Sequence, residues 1–473
     1  MATAREQFGS RIGFILAAAG SAVGIGNLVA FPVNAAQNGG GAFLLIYALF
    51  VFLVCLPVMA TEMVVGRTTR KDPLGAYRAL SGGERPWLAA GWLSIITPFM
   101  IAVFYLVISV WIFGYFVEAA TGNLALLAQA DTFGRFINSP AIFVYMLVVL
   151  AILVTILLGG VSNGIEKAAK ILMPALFVML IALVLFVLTR DNALAGVRFY
   201  LVPDMSKVDA GVINSALSQA FFSLSLGMGI MITYGSYIDE RANVPGSARL
   251  VALTDTAVAF TAGLLVLPAI FSFDPNVDPA TLTSSSIGLM FEYLPQVFVA
   301  LQESIGAVGA TLVASTFFLL VFFAAITSLV SIFEVPVAAL IDERGSSRRQ
   351  ALMRLGALLL LCSLVCVLSF GMVGFLTEFV SYAGMSKSVF DVVIDVFYDT
   401  ILPLNGLLIC IFAMYRWRRA NFNAALEVGS EGLRRSLLER YIDFSLATFI
   451  PVVLLLVFIS SVSAKFFGVD FLG

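Results

Sequence analysis

Eleven stretches of this chain are apolar for long enough to cross a lipid bilayer, and no other feature limits the fold as tightly. A helix needs roughly 20 apolar residues to span about 30 Å of hydrocarbon. Runs of that kind lie near residues 12–35, 42–66, 88–118, 140–160, 167–189, 211–238, 247–273, 306–341, 350–372, 387–415 and 444–464. Hydrocarbon offers no hydrogen bonds to an open backbone, so such runs become helices. The expectation is an all-α integral membrane protein of about eleven transmembrane helices. Composition agrees, with 60% hydrophobic and only 12% charged residues, against about 25% charged in a soluble chain. A net charge of −2 gives no reason to expect a nucleic-acid partner; the partner is the lipid bilayer. The first run contains Asn27 and Pro32 and flows into the second, unlike a cleaved signal peptide.

Orientation follows from the placement of Lys and Arg. Arg5, Arg11, the 67–85 loop, Lys167, Lys170, Arg241, Arg249, the 344–354 loop and the 416–440 connector fall on one side if eleven spans alternate. That side holds roughly 21 of the 27 basic residues. The other side carries acids such as Asp274, Asp278, Glu292 and Glu303. The expectation is a cell inner (plasma) membrane protein with a cytoplasmic N-terminus and an external C-terminus. An amphipathic stretch from Ser284 to Leu301 reads as an external helix, and the connector from Arg416 to Asp443 as helical between Glu431 and Arg440.

Two spans are interrupted at matching places. The first reads Gly20-Ser-Ala-Val-Gly-Ile-Gly-Asn27 and the sixth Ser223-Leu-Ser-Leu-Gly-Met-Gly229. Glycine costs about 1 kcal/mol in a helix interior, and an unwound turn in lipid costs more unless it faces a cavity. Gly20 and Gly24 also form a small-xxx-small face suited to close helix packing. A matching pair of breaks five spans apart favours a binding site instead. Freed N–H groups at a half-helix start favour an anion and freed carbonyls a cation, demands that an amino acid beside an alkali ion meets. The Asn27 amide and the Ser223, Thr327 and Ser328 hydroxyls are hard-oxygen ligands that suit sodium. Asp255 lies about two turns into the seventh run, where a bare carboxylate costs several kcal/mol. A nearby cation, protonation or an Arg partner would each account for it. Glu62 and Glu334 lie closer to span ends, where hydrogen bonding explains them equally well. With no histidine, the chain lacks the usual neutral-pH proton carrier. Cys55, Cys362, Cys366 and Cys410 all sit inside apolar runs and read as packing residues.

The blocks Gly20–Asn27, Phe31–Phe43, Gln219–Gly229 and Ala324–Ser328 resemble the bacterial branch of the neurotransmitter:sodium symporters. The resemblance, which runs from about Arg5 to the tenth span, implies a 5+5 inverted repeat with discontinuous helices 1 and 6. Its halves would be residues 1–200 and 201–420, followed by a connector and eleventh helix over 421–473. By position it implies one sodium at the Ala22 carbonyl, Asn27, Ser223 and Asp255, completed by the substrate carboxylate. A second would meet the Gly20, Val23 and Ala324 carbonyls with Thr327 and Ser328. The same resemblance assigns the substrate carboxylate to Tyr105 and the Gly26 N–H, and its amine to the Phe222 carbonyl and Ser225. It lines the pocket with Ile25, Ile101, Phe222, Met228, Ser328 and Ile332, and makes Arg5–Asp342 an internal gate. Gly24 stands where monoamine carriers have an aspartate, so the ligand should bring its own carboxylate. Ala30 stands where many relatives have a gate arginine, which leaves Asp395 and Asp399 without that partner. Asp255 supplies a fixed charge where chloride-dependent relatives are neutral, implying chloride independence.

The function expected is a sodium-coupled symporter of a small neutral or hydrophobic amino acid. One alternative is a proton-coupled carrier of another solute on the same scaffold, which would follow pH and ignore sodium. A non-transporting sensor would bind ligand without counterflow. No nucleophile–base pair or phosphate loop suggests an enzyme.

Overall fold

The computed structural model describes residues 5–277, 285–430, 432–434 and 436–469. Among these, nine helices are long and apolar enough to cross a membrane. They are span two (Gly41–Thr69), three (Arg85–Ala120), four (Ala141–Leu158), five (Val161–Leu188), seven (Val244–Phe273), eight (Gln302–Arg344), nine (Arg348–Leu368), ten (Val389–Arg416) and eleven (Phe449–Phe467). Span one is a bent pair, Arg11–Ala22 and Gly26–Gln37, turning by 53°. Span six is Ala210–Ser223 and Ile230–Gly235, separated by residues 224–229. Neither half of span six is long enough to cross alone, since 20 residues are needed; together they supply the eleventh crossing.

Side-chain caps fix several starts. Ser10 accepts from the Gly13 N–H, Asp209 from Val212, and Asn243 from Gly246, each satisfying a donor that a helix start leaves open. Span eight carries a non-helical residue at Gly306 (φ 74°), so its crossing begins there. Spans three and eight pack along each other at the centre, with about three quarters of their most apolar stretches buried. Spans four and eleven, at 28% and 22%, turn most of theirs outward, as lipid-facing helices do.

The segment after span seven is helical over Ser286–Gly288, Leu289–Tyr293 and Leu294–Ala300; Asp278 and Ser284 lie outside the described residues. In the connector the helices are Arg419–Glu427 and Leu437–Ala447. The helix expected over 431–440 therefore begins late, capped by Ser436 on the Glu439 N–H, and Glu431 lies outside the described residues. Between spans nine and ten Val380–Tyr382 pairs antiparallel with Met385–Lys387. Ala383 and Gly384, both at positive φ (51° and 74°), make its two-residue turn.

Candidate functional site

The two breaks meet on the same buried atoms. Span one ends its first half at Ala22, and Gly26–Ala30 resumes as a wide π-type turn that brings Asn27 inward. Span six unwinds after Ser223, with Ser225, Gly227 and Gly229 all in left-handed conformations. Glu62 of span two holds this loop by accepting the Gly227 N–H at 2.7 Å. Across the gap the Asn27 amide donates to Asp255 Oδ1 at 2.7 Å and to Ser223 Oγ at 2.9 Å. The Ser223 hydroxyl lies 3.0 Å from both Asp255 carboxylate oxygens, and the Tyr47 hydroxyl 3.0 Å from Oδ2. Asn27 and Asp255 are completely buried. Hydrogen bonds to a charged group contribute about 1.5–3 kcal/mol each, so three donors offset much of the cost of burying the carboxylate. No Lys or Arg pairs with Asp255 among the described residues.

A second oxygen cluster forms where span eight crosses the first break. The Ser328 hydroxyl stands 3.3, 3.1 and 3.2 Å from the carbonyls of Gly20, Ser21 and Val23. One hydroxyl proton serves one of three acceptors, so the remaining lone pairs suit a cation. Thr327 turns its hydroxyl to the Phe323 and Ala324 carbonyls at 2.9 and 3.0 Å. The donor set of each cluster is thus hard oxygen, as sodium requires. At the first cluster Asn27 presents its amide nitrogen to Asp255, with Oδ1 on the Gly24 N–H at 3.0 Å; a cation between the two side chains requires that amide to turn over.

Other expected residues fall around these clusters. The Tyr105 hydroxyl accepts from the Ile25 N–H at 3.3 Å, and a side chain at Gly26 would meet open space. The Phe222 carbonyl accepts the Ser225 N–H, and the Ser225 hydroxyl donates to the Ser21 carbonyl at 3.1 Å. Both groups expected at a substrate amine therefore already hold internal partners. Ile101, Met228 and Ile332 are buried. The half-buried Phe222 ring stacks on Tyr398, with centroids 4.5 Å apart.

At the N-terminal face Arg5 pairs with Asp342 at 2.5 Å and donates to Ser236. The Asp72 backbone N–H also reaches Asp342, at 2.9 Å. Burial, then the nearby Asp342 and Glu343 charges, pushes the Asp72 carboxyl up to about 7. Sequence reasoning missed a parallel link: Arg348 joins Glu6 at 3.1 Å and Glu334 at 2.8 Å. Also missed were Tyr47 and Gln219, whose amide donates to the Gly26 carbonyl at 3.0 Å. A polar atom at mid-span was the available signal for both.

A family model described as the sodium:neurotransmitter symporter family matches residues 5–134 and 133–466. An uncharacterized sodium-dependent transporter, YhdH of Bacillus subtilis (strain 168), is 34% identical over 96% of this chain and 97% of its own. The sodium- and chloride-dependent taurine transporter of Bos taurus is 27% identical over 62% of this chain and 54% of its own. The crystal structure of MhsT in complex with L-phenylalanine superposes with a TM-score of 0.83 at 37% identity, covering 97% of this chain and 100% of MhsT.

Proposed function

Because the chain belongs to the sodium:neurotransmitter symporter family, whose members are transporters and not enzymes, we propose that it imports a small neutral or hydrophobic amino acid with sodium by alternating access. The observation that carries this reading is the meeting of two broken spans at Asp255, a buried carboxylate bonded to Asn27, Ser223 and Tyr47. A cation there neutralises a charge that is otherwise costly in the membrane. The oxygen set around Ser328 supports a second sodium, held with Gly20, Val23, Ala324 and Thr327.

The substrate carboxylate fits beside the Tyr105 hydroxyl and the open space at Gly26. Buried Ile101, Met228 and Ile332 favour an apolar side chain, and MhsT was crystallised with L-phenylalanine. Asp255 supplies a fixed negative charge beside the Tyr47 and Ser223 hydroxyls, so this reading requires no chloride. The Arg5 face is cytoplasmic and the opposite face external, in the plasma membrane, with inverted halves over 1–200 and 201–420. Solute and sodium enter from outside, the Phe222–Tyr398 stack closes, and the Arg5–Asp342 pair then parts to release them. A tenfold sodium gradient supplies about 1.4 kcal/mol per ion, and 100 mV about 2.3 kcal/mol per charge.

The test is uptake of radiolabelled amino acids into proteoliposomes with sodium, proton and chloride gradients imposed separately. Sodium should drive accumulation of an apolar amino acid, and gluconate should replace chloride without loss. Uptake that follows pH and ignores sodium would overturn the reading.

A further inference from the structure

The face opposite Arg5 carries a charge cluster that the site does not use. Lys465, in the last turns of span eleven, lies 2.7 Å from Asp399 and 3.1 Å from Asp395. Lys387 of the hairpin lies 3.3 Å from Asp395, and the Tyr382 hydroxyl donates to the same carboxylate at 2.8 Å. The Tyr382 ring also packs on Phe466, with centroids 5.2 Å apart, tying the hairpin to span eleven. Two acids thus face two lysines. Asp395 is 5% exposed and Asp399 16%, so removing the cations would strand nearly buried charge.

The acids flank the lid. They lie in Ile394–Ile401, a π-helical segment of span ten, a rare geometry that occurs frequently at functional sites. Tyr398 lies between them in sequence. Its ring stacks on Phe222 and meets Phe104 edge-on, with centroids 5.7 Å apart. Phe222 precedes Ser223, whose hydroxyl sits on Asp255. A continuous path therefore runs from the terminal span to the ion site. Ala30 supplies no charge to it.

We propose that Lys465 is a positioning residue for the lid: through Asp399 and Asp395 it holds the wide turn of span ten so that Tyr398 stays stacked on Phe222. This makes span eleven a working part of the gate, and it rests on the transport reading above. Lys465 is 40% exposed, so the clamp is partly screened by solvent and weakens as salt rises.

The experiment reads lid opening directly. A cysteine at half-buried Ala30 is labelled with a membrane-impermeant thiol reagent in reconstituted protein, and the rate is corrected for the four native cysteines. Lys465→Met should raise the rate about three- to tenfold, the effect of losing one or two partly exposed ion pairs. Lys465→Arg should restore it. Asp399→Asn should give a similar rise, and the double variant Lys465→Met/Asp399→Asn no further one. Raising choline chloride from about 0.05 to about 0.5 M should speed labelling with Lys465 present and not in Lys465→Met. Unchanged labelling in a folded Lys465→Met variant overturns the proposal. If that variant does not fold, salt-independent labelling of the Ala30→Cys protein overturns it instead. Sodium-driven uptake by the unmodified chain is measured first, so that failure of the transport reading is distinguished from failure of the clamp.

Discussion

The breaks in spans one and six look alike in sequence, each a Gly-x-Gly beside hydroxyl or amide side chains, yet glycine serves a different purpose in each. In span one Gly20, Gly24 and Gly26 all keep negative φ. What matters there is the missing side chain. A Cβ on Gly24 would lie 2.7 Å from both the Ser328 and Tyr105 hydroxyls, and one on Gly20 would lie 3.2 Å from the Met173 sulfur. In span six Gly227 and Gly229 stand at φ 76° and 67°, and Ser225 at 54°, torsions that disfavour most side chains. Span one is bent by what packs into it, and span six by its own backbone. The first break should therefore govern ligand affinity, and the second the integrity of the fold.

The strongest test lies where the two breaks touch. Asp255→Ala or Asn27→Ala should bring sodium-driven uptake to background while the protein still folds, judged by size-exclusion profile and melting temperature. Wild-type uptake in either would remove this assignment.

Glycine substitutions then separate the breaks. Gly227→Ala strains a left-handed residue by about 1–2 kcal/mol and sets a methyl against span ten near the Leu402 carbonyl, so both melting temperature and uptake should fall. Gly24→Ala should melt normally but lose substrate affinity by about tenfold, a 1.4 kcal/mol effect typical of a small steric change. The reverse pattern would invert the comparison. Gly26→Ala, whose methyl meets open space in the protein, should melt normally and weaken competition by apolar amino acids to a similar extent whatever their side-chain size, since the carboxylate they share is placed there.

Ser328→Ala removes the hydroxyl that joins span eight to the first break. Its half-saturating sodium concentration should rise several-fold, since one net hydrogen bond is worth about 1 kcal/mol. No shift in sodium dependence would leave Ser328 a packing residue.

The smallest effect concerns pH at the Arg5 face, where Arg5, ahead of span one, bonds to Asp342 of span eight and to Ser236 at the end of span six. The Asp72 carboxyl is raised from 3.8 to about 7 by burial and by neighbouring acids. Its contribution to holding that face is fully present below its unfolded value and is lost as pH rises through about 7. Thermal stability of the parent should fall between these limits relative to Asp72→Asn. Parallel pH profiles for the two proteins would contradict this.

Much of the site was legible because lipid makes polar groups conspicuous. Asn27, Ser223 and Asp255 each interrupt an apolar run, and the cost of such an interruption is itself the signal. Other contacts had no such mark. Lys465 reads as one cation near the end of the chain, and only the approach of spans ten and eleven gives it two acids. Arg348 reads as one of several charges in a basic loop, yet it pairs with buried Glu334. Tyr398 was indistinguishable from other span-ten apolar residues until its ring met Phe222.

By itself the sequence determined that this chain crosses a bilayer about eleven times and breaks two of those crossings, because transfer to lipid and backbone torsion are local free energies carried by each segment. The tertiary structure alone decided which donors surround Asp255, that Phe222 stacks on Tyr398, and that span eleven brings Lys465 to Asp399 and Asp395. Hydrogen bonds and ion pairs act over a few ångströms, and those separations are set by the packing of helices remote from one another in the chain.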